Sequence, residues 1–267
     1  MRPEMPEGQA REDEMKLHDI MIKDGIRIFR WRSYLPLLFI GPLLLAFGEA
    51  AQMEARMGEV AEDIWVLLCF LLSLGGLALR GYTVGHVPAG TSGRNAKAQR
   101  AQRLNTTGMY SVVRNPLYLG NFIILLGVVL SLKVWWLVLI VTMAFFVYME
   151  RIILTEEKFL GKTFGDDYTK WCERTPVIVP RFSQWQKPDM PFSLKTVLKR
   201  EYQGLLGIGT AFFVTEVIVD LWFEHEPFGQ WIIEDMAWPL IYGLIVTICL
   251  TLRYLKKNTD MLSVDGR

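Results

Sequence analysis

The chain has 267 residues, of which 51% are hydrophobic and 21% charged, with a formal net charge of +1. A soluble protein could carry that apolar fraction, but it would spread its charges evenly. Here they gather in blocks between long apolar runs, which points to an integral membrane protein and away from a soluble one. The net charge by itself identifies no partner, and no nucleic-acid partner is expected. Cys69, Cys172 and Cys249 lie far apart, with neither a CxxC pair nor nearby histidines, so neither a metal site nor a disulfide framework is expected.

Residues 1 to about 24 are polar and do not read as a signal peptide. Asp24 to Arg32 mixes Arg27, Arg30 and Arg32 with Ile26, Ile28, Phe29 and Trp31, the pattern of an interfacial segment at the head groups. Tyr34–Phe47 is the first candidate span, extended by Ser33 and by Gly48 to Ala51 towards the roughly 20 residues that a crossing needs. An acidic loop follows, with Glu49, Glu54, Glu59, Glu62 and Asp63 against Arg56. The second span covers about Ile64–Leu79, where Gly75 and Gly76 offer close helix packing. Leu117–Leu130 and Val134–Met149 are joined at Ser131-Leu132-Lys133, which predicts an antiparallel helical hairpin. A long polar segment, Glu150–Gln203, precedes a fifth span over Gly204–Phe223. The acidic turn Glu224–Asp235 leads into a sixth over Ala237–Tyr254.

The predicted fold is therefore an all-α integral membrane bundle of about six spans. Lys and Arg set its orientation. The N-terminal arginines, the Arg80–Arg114 stretch, Glu150–Gln203 and Lys256-Lys257 fall on one side, and the acidic loops fall on the other. Both termini are then cytoplasmic, with Lys133 the single exception to the positive-inside pattern. The expected organisation is an N-terminal polar and interfacial segment over 1–32, a membrane core over 33–182, and a two-helix membrane extension over 183–267.

This topology delivers Arg114-Asn115-Pro116, Glu156-Glu157 and Phe164-Gly165-Asp166-Asp167-Tyr168 to the cytoplasmic face. Helical spacing turns Glu156 about 100° from Glu157. Taken alone, the acidic pair reads as a solvated helix end, and Asn-Pro as an ordinary turn-to-helix junction. Taken in order, the pieces carry more. The sequence L-x-x-x-G-x-Y-x-x-x-R-N-P-x-Y-x-G over 104–120, an apolar hairpin, E-E-x-x-L, F-G-x-x-Y-x-x-W and V-P-R resembles the isoprenylcysteine carboxyl methyltransferase and phospholipid methyltransferase superfamily. The resemblance covers about Leu104–Arg181. It implies a membrane enzyme that takes S-adenosylmethionine on the cytosolic side and methylates an acceptor reaching the site from the bilayer.

Carried over by position, the resemblance implies a cofactor pocket shaped by Tyr110, Asn115, Pro116, Tyr118, Gly120, Glu156, Glu157 and Tyr168. Arg114, Glu156 and Glu157 are its expected catalytic set. The carboxylates orient the donor's amino group or ribose hydroxyls, and Arg114 binds its carboxylate or an anionic acceptor. The family usually has His where this chain has Asn115. An amide keeps the hydrogen bonding but cannot act as a base, and a carboxylate or phosphate acceptor needs none. The loop Gly81–Arg103 reads either as an ordinary positive-inside loop or as a phosphate cradle. On the second reading His86, Arg94 and Arg103, with Lys97 and Arg100, form the acceptor side. The expected partner is a membrane lipid or lipidated substrate, weakly favouring an anionic head group over a phospholipid amine, prenylcysteine or thiol. Sterol-type reductases share a similar Arg-x-x-x-Tyr-x-Gly helix start, so a nicotinamide-dependent membrane reductase is the rival enzyme class. A non-catalytic membrane scaffold is the third reading.

Overall fold

The computed structural model describes residues 20–21, 39–88 and 103–266. The interfacial segment over 1–32 and the loop residues Arg94, Lys97 and Arg100 thus lie almost wholly or entirely outside the described residues. The described chain is helical, and the only β pairing within it is an isolated bridge between Gly108 and Gln186.

In chain order the helices are α1 (Ile40–Met57), α2 (Glu59–Gly85), α3 (Met109–Val112), α4 (Pro116–Ser131) and α5 (Trp135–Phe164). They continue with α6 (Asp166–Arg174), α7 (Leu194–Ile218), α8 (Phe228–Glu234) and α9 (Ala237–Asn258). Among the described residues, four stretches are long and apolar enough to cross a membrane: Val60–Gly85, Trp135–Phe164, Leu194–Phe223 and Ala237–Asn258. α4 is apolar but shorter, at 16 residues. Each of the six expected apolar runs has described residues in a helix; α4 falls short as a crossing by these measures, and the first candidate span is described only from residue 39 onward. α1 starts within the first candidate span and runs on to Met57, taking the acidic stretch after Glu49 into its own helix. Gly58, at φ 79°, makes the break before α2. Pro42 lies within three residues of the described start of α1, at Ile40.

Helices also outrun their apolar stretches elsewhere. α5 does not stop at Met149 but continues through Glu150 to Phe164, 30 residues and about 45 Å in all. α7 begins ten residues before the apolar run, at Leu194, after Ser193 accepts a 3.3 Å hydrogen bond from the Thr196 amide. Much of the polar segment Glu150–Gln203 is therefore helical, and hydropathy alone could not extend these helices past their charged residues.

α2 and α4 make the most extensive helix–helix contact. Small residues create it. A Cβ on Gly120 would lie 2.9 Å from the Gly76 carbonyl oxygen, and one on Gly127 would lie 2.2 Å from Ser73 Oγ. Ser73 Oγ donates to the Ile124 carbonyl at 2.9 Å across this contact. α7 and α9 close the other side of α2 through Phe70, Phe212, Ile208, Ile245 and Cys249. At the opposite end, α1 packs Ala46, Phe47 and Ala50 on the α4–α5 turn and on Val219. Val219–Phe223, directly after α7, is a π-helical turn whose Phe223 meets Phe47.

Candidate functional site

The site forms where the start of α4 meets the polar end of α5. Pro116 opens α4, its fixed φ suited to a first helical position. The preceding residues are tied to the chain beyond α6. The Arg114 amide donates to the Pro176 carbonyl at 2.8 Å, the Arg181 amide to the Val112 carbonyl at 2.9 Å, and the Asn115 side-chain amide to the Val177 carbonyl at 3.1 Å. Asn115 thus uses its Nδ2 to hold a neighbouring strand of chain, a contact any donor of that reach could make.

The two carboxylates each find a partner from the motif. Tyr118 Oη donates to Glu156 Oε1 at 2.6 Å, and Arg114 Nη1 donates to Glu157 Oε1 at 2.7 Å. Their different azimuths on α5 allow this: one faces the α4 helix, the other the turn before it. Arg114 Nε is buried and has no hydrogen-bond acceptor among the described residues, a donor left unsatisfied beside two carboxylates.

α6 supports this arrangement from below. Gly165 lies at φ 53°, the left-handed region that glycine enters at no steric cost, and it turns the chain sharply from α5 into α6. That conformation accounts for the F-G of the sequence pattern. Tyr168 and Trp171 are then buried, 5.7 Å apart ring to ring, and Trp171 Nε1 donates to the Tyr110 carbonyl at 3.0 Å. Burial pushes the phenols of Tyr110 and Tyr168 well above the usual tyrosine range, so both remain neutral donors.

Asn115, Tyr118, Phe122, Phe145, Met149 and Ile153 line a cleft between α4 and α5 with only about 20 Å³ of free volume. That admits a water and no nucleoside. A wider groove of about 580 Å³ lies at the opposite end of the bundle, between Leu44, Glu49, Trp136 and Phe223. Its walls include none of the motif residues.

Not all expected site residues converge. His86 ends α2, where its ring packs on Tyr82 and Phe192 and its Nδ1 lies 2.9 Å from the Tyr82 carbonyl. Arg103 pairs with Asp189 at 2.6 Å near the surface. Arg94 lies outside the described residues. Gly120 contributes space: a Cβ there would come within 2.5 Å of Arg80 Cγ. Arg80 itself was legible only as one more positive-inside charge, yet it is buried beneath the motif helix and bonded to Glu201.

Residues 89–167 match the phospholipid methyltransferase family. That segment carries the motif, α4 and the acidic pair. The chain is also similar to individual proteins. A nickel-cobalt-cadmium resistance protein of Alcaligenes xylosoxydans xylosoxydans is 33% identical over 126 residues, 46% of this chain and 55% of that protein. A cobalt-zinc-cadmium resistance protein of Cupriavidus metallidurans is 31% identical over 118 residues, 43% of this chain and 52% of its own length. A protein-S-isoprenylcysteine O-methyltransferase of Schizosaccharomyces pombe is 32% identical over 100 residues, 38% of this chain and 40% of the enzyme. The chain spans about half the length of the curated relatives it matches, or less. No solved structure matches it. The methyltransferase family match disfavours the reductase reading.

Proposed function

We propose that the protein is an integral membrane methyltransferase that uses S-adenosylmethionine and acts on a lipid-like acceptor with an anionic carboxylate or phosphate head group. The observation that carries this reading is the pairing of both α5 carboxylates with motif side chains, beside an arginine nitrogen that lacks an acceptor. A buried N–H without an acceptor is costly, and a carboxylate or phosphate oxygen satisfies it with a charge-assisted bond. The donor set therefore fits a zwitterionic methyl donor: carboxylates for its amine and hydroxyls, a guanidinium for its carboxylate.

The donor supplies an electrophilic methyl group. The rest falls to the chain. Glu156 and Glu157 would hold the donor's hydroxyl and ammonium groups, and Arg114 would offer its Nε to the donor's carboxylate. Tyr118 fixes the angle of Glu156. Asn115 does not titrate, so the reading requires an acceptor that is already anionic. Opposite charges neutralise as such a methyl transfer proceeds, and the apolar walls from Phe122, Phe145, Met149 and Ile153 favour this by excluding water.

The test is binding of radiolabelled S-adenosylmethionine to purified protein, with NADPH as the competing ligand, followed by incubation with membranes and separation of labelled lipids. Methyl label in a lipid ester, alkali-labile for a carboxylate acceptor and alkali-stable for a phosphate monoester, with no NADPH binding, is the expected result. Label in protein alone would redirect the acceptor to a lipidated polypeptide. No donor binding would remove the reading.

A further inference from the structure

The motif helix is held from a part of the chain that lies outside the family match. Arg80, near the end of α2, meets Glu201 of α7 in a two-pronged pair: Nε to Oε2 at 2.8 Å and Nη2 to Oε1 at 3.0 Å. The two side chains are only 11% and 6% exposed. The remaining arm, Nη1, turns to α4, donating to Asn121 Oδ1 at 2.7 Å and, more weakly, towards the Leu117 carbonyl at 3.4 Å. Leu117 and Asn121 bracket Tyr118. Gly120, between them, lets the stem of Arg80 lie against the α4 backbone.

A buried ion pair is poor evidence for stability, because an apolar pair of similar volume often serves as well. An apolar pair, however, could not reach Asn121 or the Leu117 carbonyl. The third arm is the part of this arrangement that bulk packing does not explain. It acts on the turn that sets the height and azimuth of Tyr118, hence the 2.6 Å bond to Glu156.

We infer that Arg80 and Glu201 are positioning residues of the site: Glu201 fixes the guanidinium, and the guanidinium fixes the first turns of α4. The inference rests on the proposed function and adds to it that α7 is part of the working unit. Displacements of about 1 Å at a reacting centre can cost on the order of 100-fold in rate, so a small drift of Tyr118 suffices.

The experiment compares full-length R80M, E201M and R80M/E201M with the unmodified protein. Three readouts are followed: melting in detergent, methyl transfer from radiolabelled S-adenosylmethionine, and hydrogen exchange of the peptide spanning 113–121. Each single variant leaves a buried charge alone and lowers Tm. The double variant is expected to recover Tm while its kcat/KM stays lower by roughly 100-fold and 113–121 exchanges faster. Recovery of activity and exchange together with Tm would make the pair merely structural and overturn the inference.

R80K keeps the charge against Glu201 but not the forked reach, and it decides the matter should the double variant fail to fold. Lowered kcat/KM with near-normal Tm supports the inference, and unchanged kcat/KM overturns it. If the unmodified protein transfers no methyl group, it is the proposed function that has failed. Exchange over 113–121 still decides whether Arg80 holds α4.

Discussion

Glu156 and Glu157 are adjacent in sequence but are held by different chemistry, a neutral phenol for one and a guanidinium for the other. Tyr118→Phe leaves Glu156 without that donor. The expected cost is about 1–3 kcal/mol of folding stability, with weakened donor binding measured by equilibrium dialysis; unaltered binding would place Glu156 outside the donor site. Tyr168 gives a pH prediction of definite sign. Burial raises its phenol in the folded state, so above about pH 10 the unfolded chain loses that proton first and stability falls as pH rises. Tyr168→Phe should flatten the loss of Tm at alkaline pH while leaving the curve near neutrality at its own constant offset. The motif positions of these residues were legible in the sequence, because the order of short patterns carries them. Their partners were not: Arg114 and Glu157 stand 43 residues apart, and nothing in local spacing pairs them.

Helix contacts give a graded test. Gly120→Ala and Gly127→Ala each place a methyl group within 3 Å of neighbouring backbone or side-chain atoms on α2, whereas Gly75 and Gly207 have open space around a Cβ. The first two substitutions are expected to cost about 1–3 kcal/mol by overpacking. Alanine at Gly75 or Gly207 should be neutral or slightly stabilising. Thermal melting of the four variants in one detergent separates the sets, and equal effects would remove the close α2–α4 contact. The Gly75-Gly76 pair was legible as a packing site, but which glycine faces the partner was not. Only Gly76 meets Gly120. Apolar runs located the centres of the helices well, because burial in lipid demands them. The ends of α5 and α7 escaped because helix continuation past a charge depends on backbone hydrogen bonds that hydropathy does not record. The Arg80–Glu201 pair escaped for a related reason: its members are 121 residues apart, and each looks locally like an interfacial charge.

Across the whole molecule, the charge asymmetry between its two ends gives a proposed orientation with both termini cytoplasmic. Lys133, the exception to that pattern, bonds Glu62 at 2.6 Å with both side chains more than nine-tenths buried. It therefore acts as a local counter-ion, and an exposed charge capable of opposing the orientation is absent at that position. In a variant lacking Cys69, Cys172 and Cys249, Asn105→Cys and Ser263→Cys should react with an impermeant maleimide from the cytoplasmic side only. Gln230→Cys should react only from the other. Labelling of Asn105→Cys and Gln230→Cys from one side would overturn the orientation.

The length of α5 has a consequence for what the protein can reach. Trp135, at its start, is 76% exposed, the placement expected of an aromatic at a bilayer boundary. Glu156 lies about 32 Å further along the axis at the α-helical rise, close to the roughly 30 Å depth of a hydrocarbon layer. On the proposed function, an upright α5 with Trp135 at one surface would act as a depth gauge, holding its carboxylates at the level where acyl chains give way to head groups at the other. Candidate acceptors would be ranked by how far their reactive atom stands from that boundary. In vesicles of increasing acyl length, methylation should pass through an optimum, because thicker bilayers draw the carboxylates below the head-group plane and thinner ones lift them clear of it.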